Sequence, residues 1–185
     1  MDTNKSIEQL IASSLDLGAN SAKIISANDV YVEQWVRYKC QYGCGGYARY
    51  FTCPPYAPTP NETRKMLEAY NQALLIEFSI KSGDKQPNVH EIMFELERQA
   101  FLSGFYKAFA FAAGPCRHCE SCAAKDIINP SLFSKGMCKN SGKARPSMEA
   151  CGIDVYQTAR KAGYEIDVIR NLKDCFKRFG LLALD

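Results

Sequence analysis

Nine cysteines carry the chemistry of this chain: Cys40, Cys44, Cys53, Cys116, Cys119, Cys122, Cys138, Cys151 and Cys175. Cys116, Cys119 and Cys122 follow a C-x2-C-x2-C spacing, with Cys138 as a distant fourth thiol. Three thiols at two-residue gaps can wrap one corner of a cubane and ligate three of its irons, as in bacterial ferredoxins, while the fourth iron takes a ligand from further along the chain. Zinc more often takes its four ligands as two separated pairs. The spacing therefore favours a [4Fe–4S] cluster, with zinc as the alternative. An odd number of cysteines, with no export signal at the polar start Met1-Asp2-Thr3-Asn4-Lys5, argues against a disulfide framework and for metal.

A second group, Cys40-x3-Cys44 followed by Cys53-Pro54-Pro55, offers three ligands. Gly43, Gly45 and Gly46 let backbone amides approach sulfur closely, and a proline after a cysteine shields a cluster in ferredoxins. Cys151 would complete two sets of four; otherwise it is a small core residue and one metal position stays open. Cys175 lies in an apolar stretch and reads as packing. His118 lies between Cys116 and Cys119. Four thiols already satisfy a cubane, so His118 reads as a surface residue; as a zinc ligand it would compete with Cys119 beside it.

The elements that must position these groups are legible in outline. Ile7, Leu10, Ile11 and Leu15 mark an amphipathic helix over 7–17. Short extended pieces are expected at 22–25 and 31–37. Residues 40–60 form a loop rich in glycine and proline. Thr59, Pro60 and Glu62 form a helix start with a capping box, for a helix reaching about Tyr70. A buried strand over 73–80 and a turn at Ser82-Gly83-Asp84 follow. The strongest helix pattern spans 89–103, and a strand is expected over 106–113. Residues 114–147 are punctuated, with at most one short helix. A helix over 148–162 ends at Gly163, and strands are expected at 166–169 and 180–184. The class is α/β or α+β: one domain over residues 1–185, with a mixed sheet flanked by helices, a ferredoxin-like arrangement being one option. The cysteine loops occupy about 40–60 and 114–151.

Composition bounds the function. The 185 residues are 46% hydrophobic and 23% charged, enough apolar material for a core without metal staples. No stretch reaches a membrane span, and a cytoplasmic location is expected. The net charge of +3 is uneven: residues 107–185 hold thirteen Lys or Arg against eight Asp or Glu, and residues 1–106 hold ten against twelve. The basic half is ordinary solvated surface, a docking face for an acidic redox partner, or compensation for thiolate charge. No basic run interleaves with aromatics, which argues against a nucleic-acid module. There is no P-loop, H-E-x-x-H or dinucleotide fingerprint. Tyr47 stands where a radical-SAM motif needs cysteine, and no catalytic residue is assigned. Oligomeric state is not legible. Ser147 reads as a helix cap, with Arg145 either structural or beside a cluster or anion.

Two runs together carry a resemblance. One is Lys39-Cys40 … Cys44 … Cys53-Pro54-Pro55-Tyr56-Ala57-Pro58-Thr59-Pro60. The other is Gly114-Pro115-Cys116-Arg117-His118-Cys119 … Cys122 … Cys138, then Ala144-Arg145-Pro146-Ser147-Met148-Glu149-Ala150-Cys151-Gly152-Ile153-Asp154-Val155. Over about residues 24–184 the chain resembles an uncharacterised family of predicted metal-binding proteins of anaerobic bacteria and methanogenic archaea. The resemblance implies metal binding through these cysteines and an anaerobic setting. The function expected is a [4Fe–4S] protein, with one cluster or two, in electron transfer with a redox partner. The alternatives are an enzyme or cluster-handling protein with an open iron, and a zinc-stapled binding module.

Overall fold

The computed structural model describes residues 3–80, 86–171 and 175–185. Helix α1 (Thr3–Asp16) leads into β1 (Ser21–Ser26). Helix α2 (Gln34–Gly43), helix α3 (Pro60–Leu67) and β2 (Gln72–Ile80) follow, then α4 (Val89–Leu102), β3 (Phe109–Phe111), α5 (Val155–Lys161) and β4 (Phe176–Leu184). The sheet order is β1-β2-β4-β3. Its ladders run antiparallel from Ser21↔Glu77, from Gln72↔Leu184 and from Phe109↔Ala183. The class is thus α+β, and the ladders narrow the expected mixed sheet to an antiparallel one. The described strands include no parallel pair of the kind a split βαβ unit would place at the centre of a ferredoxin-like sheet.

The sheet is covered on both sides, which explains the almost uninterrupted apolar run of β2. Leu74, Ile76 and Phe78 share one face with Leu182 and Leu184, under Leu10 of α1 and Met93 and Leu96 of α4. Gly180 lies on the same side, where a Cβ would run into the Met93 sulfur. On the other face Ala73, Leu75, Phe179 and Leu181 pack with Leu67 of α3, Ala159 of α5, and Met148, Cys151 and Ile153. Each face buries large side chains completely, and at roughly 1.5–3 kcal/mol per side chain this burial is what holds the loops to the sheet.

Several local expectations need correction. Residues 31–37 do not form an extended piece: α2 begins at Gln34 and carries Cys40 on its last turn. Its apolar–polar alternation did not track burial, because Val36 is buried while Trp35 and Tyr38 are exposed. The helix expected over 148–162 is broken. A 3-10 turn over Glu149–Cys151 stops at Gly152 (φ 81°), and Asp154 then caps α5 by accepting from Gln157 N at 3.0 Å. Residues 166–169 form no strand, and Val168 is exposed. The expected strand over 106–113 shortens to β3, with an isolated parallel bridge from Ala112 to Ser147. Between Cys122 and Cys138 lie three 3-10 turns rather than one helix. The turn expected at Ser82-Gly83-Asp84 lies outside the described residues. Among the described residues no helix is long and apolar enough to cross a membrane.

Candidate metal centre

Helix α2 and the turn after Cys53 build the first thiol group. Cys40 sits on the last turn of α2, and Cys44 follows its end. The loop then folds back through Ala48 N, which donates to Pro54 O at 2.7 Å with Ala48 at φ 58°. Cys53 opens a tight turn, its carbonyl accepting from Tyr56 N and Ala57 N. Arg37 clamps the arrangement: its Nη1 donates to Ala57 O, Pro58 O and Ala150 O at 3.4, 3.2 and 2.9 Å. The capping box at Thr59 is present as expected, with Glu62 N donating to Thr59 Oγ1 and Thr59 N to Glu62 Oε2. It starts α3 directly after the loop.

Cys40, Cys44 and Cys53 line one cavity of about 450 Å³. Its walls include Trp35, Pro54, Pro115, Ile153 and Phe179, with Lys39, Lys177, Arg178 and Glu149 among the charged groups. The Gly46 amide donates to Cys44 Sγ at 3.4 Å, as the glycine-rich sequence led one to expect. Burial pushes the Cys53 thiol up to about 12, with Cys44 and Cys40 adding to the rise. Cys40 is raised by burial first and then by Cys44 and Glu149, against Arg37.

The first turns of α4 hold the second group. His90 Nε2 lies 3.2 Å from Gly114 O, so it carries the hydrogen and donates. Glu91 reaches Lys143 Nζ at 3.1 Å and His118 Nδ1 at 3.4 Å. Glu97 takes Arg145, with Nε donating to Oε2 at 2.7 Å and Nη2 to Oε1. Arg145 is therefore spent on structure and offers no free anion site. Ser147 does cap, accepting from Ala150 N at 3.1 Å, though the helix it caps is only a 3-10 turn.

Cys119, Cys122 and Cys138 line a shared cavity with Phe51. Burial first raises the Cys116 thiol, and Cys138, Cys119 and Cys122 add to the rise, with the His118 amide opposing. Asn140 Nδ2 donates to Cys119 Sγ at 3.0 Å, a contact sequence reasoning missed. The only signal for it was an amide side chain two residues after Cys138. His118 is not a surface residue. Its side chain is 5% exposed, and Nε2 is buried without a partner among the described residues. The two groups adjoin: Gly114 and Pro115 also line the first cavity, and Phe51, which lines the second, packs on Tyr56 and Phe133 with centroids 5.4 and 4.8 Å away.

Two cysteines line neither of these cavities. Cys151 is fully buried in the apolar cluster under the sheet, and burial pushes its thiol up to about 12. Cys175 is exposed ahead of β4, not packed as expected. Among the described residues no three His, Cys, Asp or Glu side chains close on a single ion position.

The donor chemistry still suits a sulfur-ligated group. Thiols are gathered in two sets, amide N–H groups point at Cys44 and Cys119, and cations stand near both, the conditions that stabilise and tune anionic clusters. Fold and thiol groups together define a cysteine-rich α+β protein built to present soft ligands around two adjoining cavities. The chain belongs to the family of predicted metal-binding proteins DUF2284, whose model matches residues 23–184. The match covers both cysteine loops. No match was found among curated proteins or among solved structures.

Proposed function

We propose that this is an iron–sulfur protein holding a [4Fe–4S] cluster on Cys116, Cys119, Cys122 and Cys138 and a second on Cys40, Cys44 and Cys53, in one-electron transfer with a redox partner. The observation that carries the reading is the adjacency of the two thiol groups: Gly114 and Pro115, just before Cys116, line the cavity of Cys40, Cys44 and Cys53, and Phe51, two residues before Cys53, lines that of Cys119, Cys122 and Cys138. Bound clusters supply reversible one-electron chemistry at potentials set by hydrogen bonds, charge and solvent exposure. The chain's own residues set those terms. Asn140 and the Gly46 amide donate to sulfur, which favours the more negative reduced state. Phe51, Tyr56 and Phe133 form an aromatic cluster beside the second group. Lys39 and Arg178 offset thiolate charge at the first cavity. An acidic partner in a cytoplasmic, anaerobic setting suits the basic second half.

A second reading, an enzyme or cluster-handling protein, draws on one observation. The first cavity is of ligand size, and three rather than four cysteines face it. The test is anaerobic redox titration followed by visible absorption and electron paramagnetic resonance. Electron transfer predicts reversible bleaching and recovery with two separable signals, Asn140→Ala shifting the potential of one. A sample with no redox-active chromophore would remove the reading.

A further inference from the structure

We infer that Glu149 supplies the fourth protein ligand of the metal site at Cys40, Cys44 and Cys53, through its side-chain carboxylate. The inference rests on the reading that this set holds an iron–sulfur cluster.

Geometry separates the two candidates for that fourth position. Glu149, Ala150 and Cys151 form one 3-10 turn. Such a turn advances by about a third of a circle per residue, so side chains two apart face different ways. Cys151 takes the core side, fully buried among Met148, Ile153, Phe111 and Leu181. Glu149 takes the other side and lines the cavity with the three thiols.

The carboxylate is placed at a cost. Glu149 Oε2 is buried and accepts no hydrogen bond among the described residues. A buried polar atom left without a partner is costly, more so when charged, so it calls for one. The position is also held, not incidental. Cys40 Sγ lies 3.8 Å from the Glu149 carbonyl, and Arg37 grips the next carbonyl at Ala150. The turn carrying Glu149 is thereby tied to the helix carrying Cys40. An oxygen ligand among sulfurs would mark one iron as distinct, since a hard carboxylate holds a soft thiolate-preferring metal less firmly than cysteine does.

The test compares wild type with Glu149→Gln, Glu149→Cys and Cys151→Ala after anaerobic reconstitution with iron and sulfide. Iron per chain, the resonance spectrum of the reduced protein and far-ultraviolet circular dichroism are read together. The expected result is that Cys151→Ala keeps the wild-type iron and spectrum. Glu149→Gln drops from about eight irons to about four, or keeps them with an altered signal for one cluster only, and Glu149→Cys restores a full complement with an all-thiolate spectrum. Wild-type iron and an unchanged spectrum in Glu149→Gln, with native circular dichroism, would overturn the inference while leaving the iron–sulfur reading intact. Wild-type protein with no iron in this set would overturn both.

Discussion

Arg145 and Glu97 form a two-pronged ion pair that joins the end of the second cysteine loop to α4. Glu97 Oε2 also accepts from Ala110 N at 2.7 Å, so the same carboxylate holds the edge strand β3. Both side chains are largely covered, 17% and 14% exposed, and removing one partner strands the other. Glu97→Ala should cost about 2 kcal/mol in urea unfolding, a value discounted for residual solvent at the pair. Glu97→Gln, which can still accept from Ala110, should cost less. Equal losses would mean that the strand contact contributes nothing.

Gly152 ends the turn that carries Glu149. Its φ of 81° is one that side chains resist, and a Cβ there would stand 2.7 Å from Pro60 Cγ and 3.3 Å from Glu33 O. Gly152→Ala should destabilise the protein by about 3 kcal/mol, combining left-handed backbone strain with overpacking. Thermal unfolding checks it. A loss below half that figure would show that Pro60 and the turn can move apart.

Arg37 acts on the first site by position. Its one Nη1 grips carbonyls of the loop after Cys53 and of the turn at Ala150. Lysine keeps the charge, but its ammonium ends one bond short of where Nη1 reaches these carbonyls. Arg37→Lys should lower metal bound at the first set several-fold and leave the second set filled, as read by iron analysis and resonance spectra. Equal loss from both sets would point to general unfolding instead.

His90 gives the fold a pH dependence. Burial chiefly holds it down to about 4, with His118 nearby acting the same way and its hydrogen bond to Gly114 opposing. The folded protein therefore keeps His90 neutral where the unfolded chain binds a proton. Stability is fully present above the ordinary histidine range and falls as pH drops from there toward about 4. Between about pH 7 and about pH 5 the loss is on the order of 2 kcal/mol. His90→Gln, which can still donate to Gly114 O, should flatten that slope in denaturant titrations. Parallel profiles for both proteins would show that other groups set it.

How much of this was legible depended on whether a local signal agreed with tertiary packing. The capping box at Thr59 and the apolar face of α4 are self-contained, and both elements formed near their expected bounds. The C-x2-C-x2-C run sets Cys119 and Cys122 on one cavity with Cys138. Helix α2 escapes a pattern reading because Glu33 gives its start no side-chain cap and all three of its aromatic residues, Trp35, Tyr38 and Tyr42, face outward. The break at Gly152 and the restart at Asp154 were both visible as residue types. They lost to a periodic pattern that ran through them. The orientation of Glu149 against Cys151 depends on a 3-10 turn, and sequence spacing alone does not distinguish that from an α-helix.

The most direct measurement is iron, zinc and acid-labile sulfide per chain in protein purified without oxygen. Two clusters predict about eight irons and eight sulfides, falling to about four of each in Cys116→Ser or Cys40→Ser. Zinc alone at one or two per chain, with no sulfide, would contradict the iron–sulfur reading and leave a zinc-stapled domain in its place.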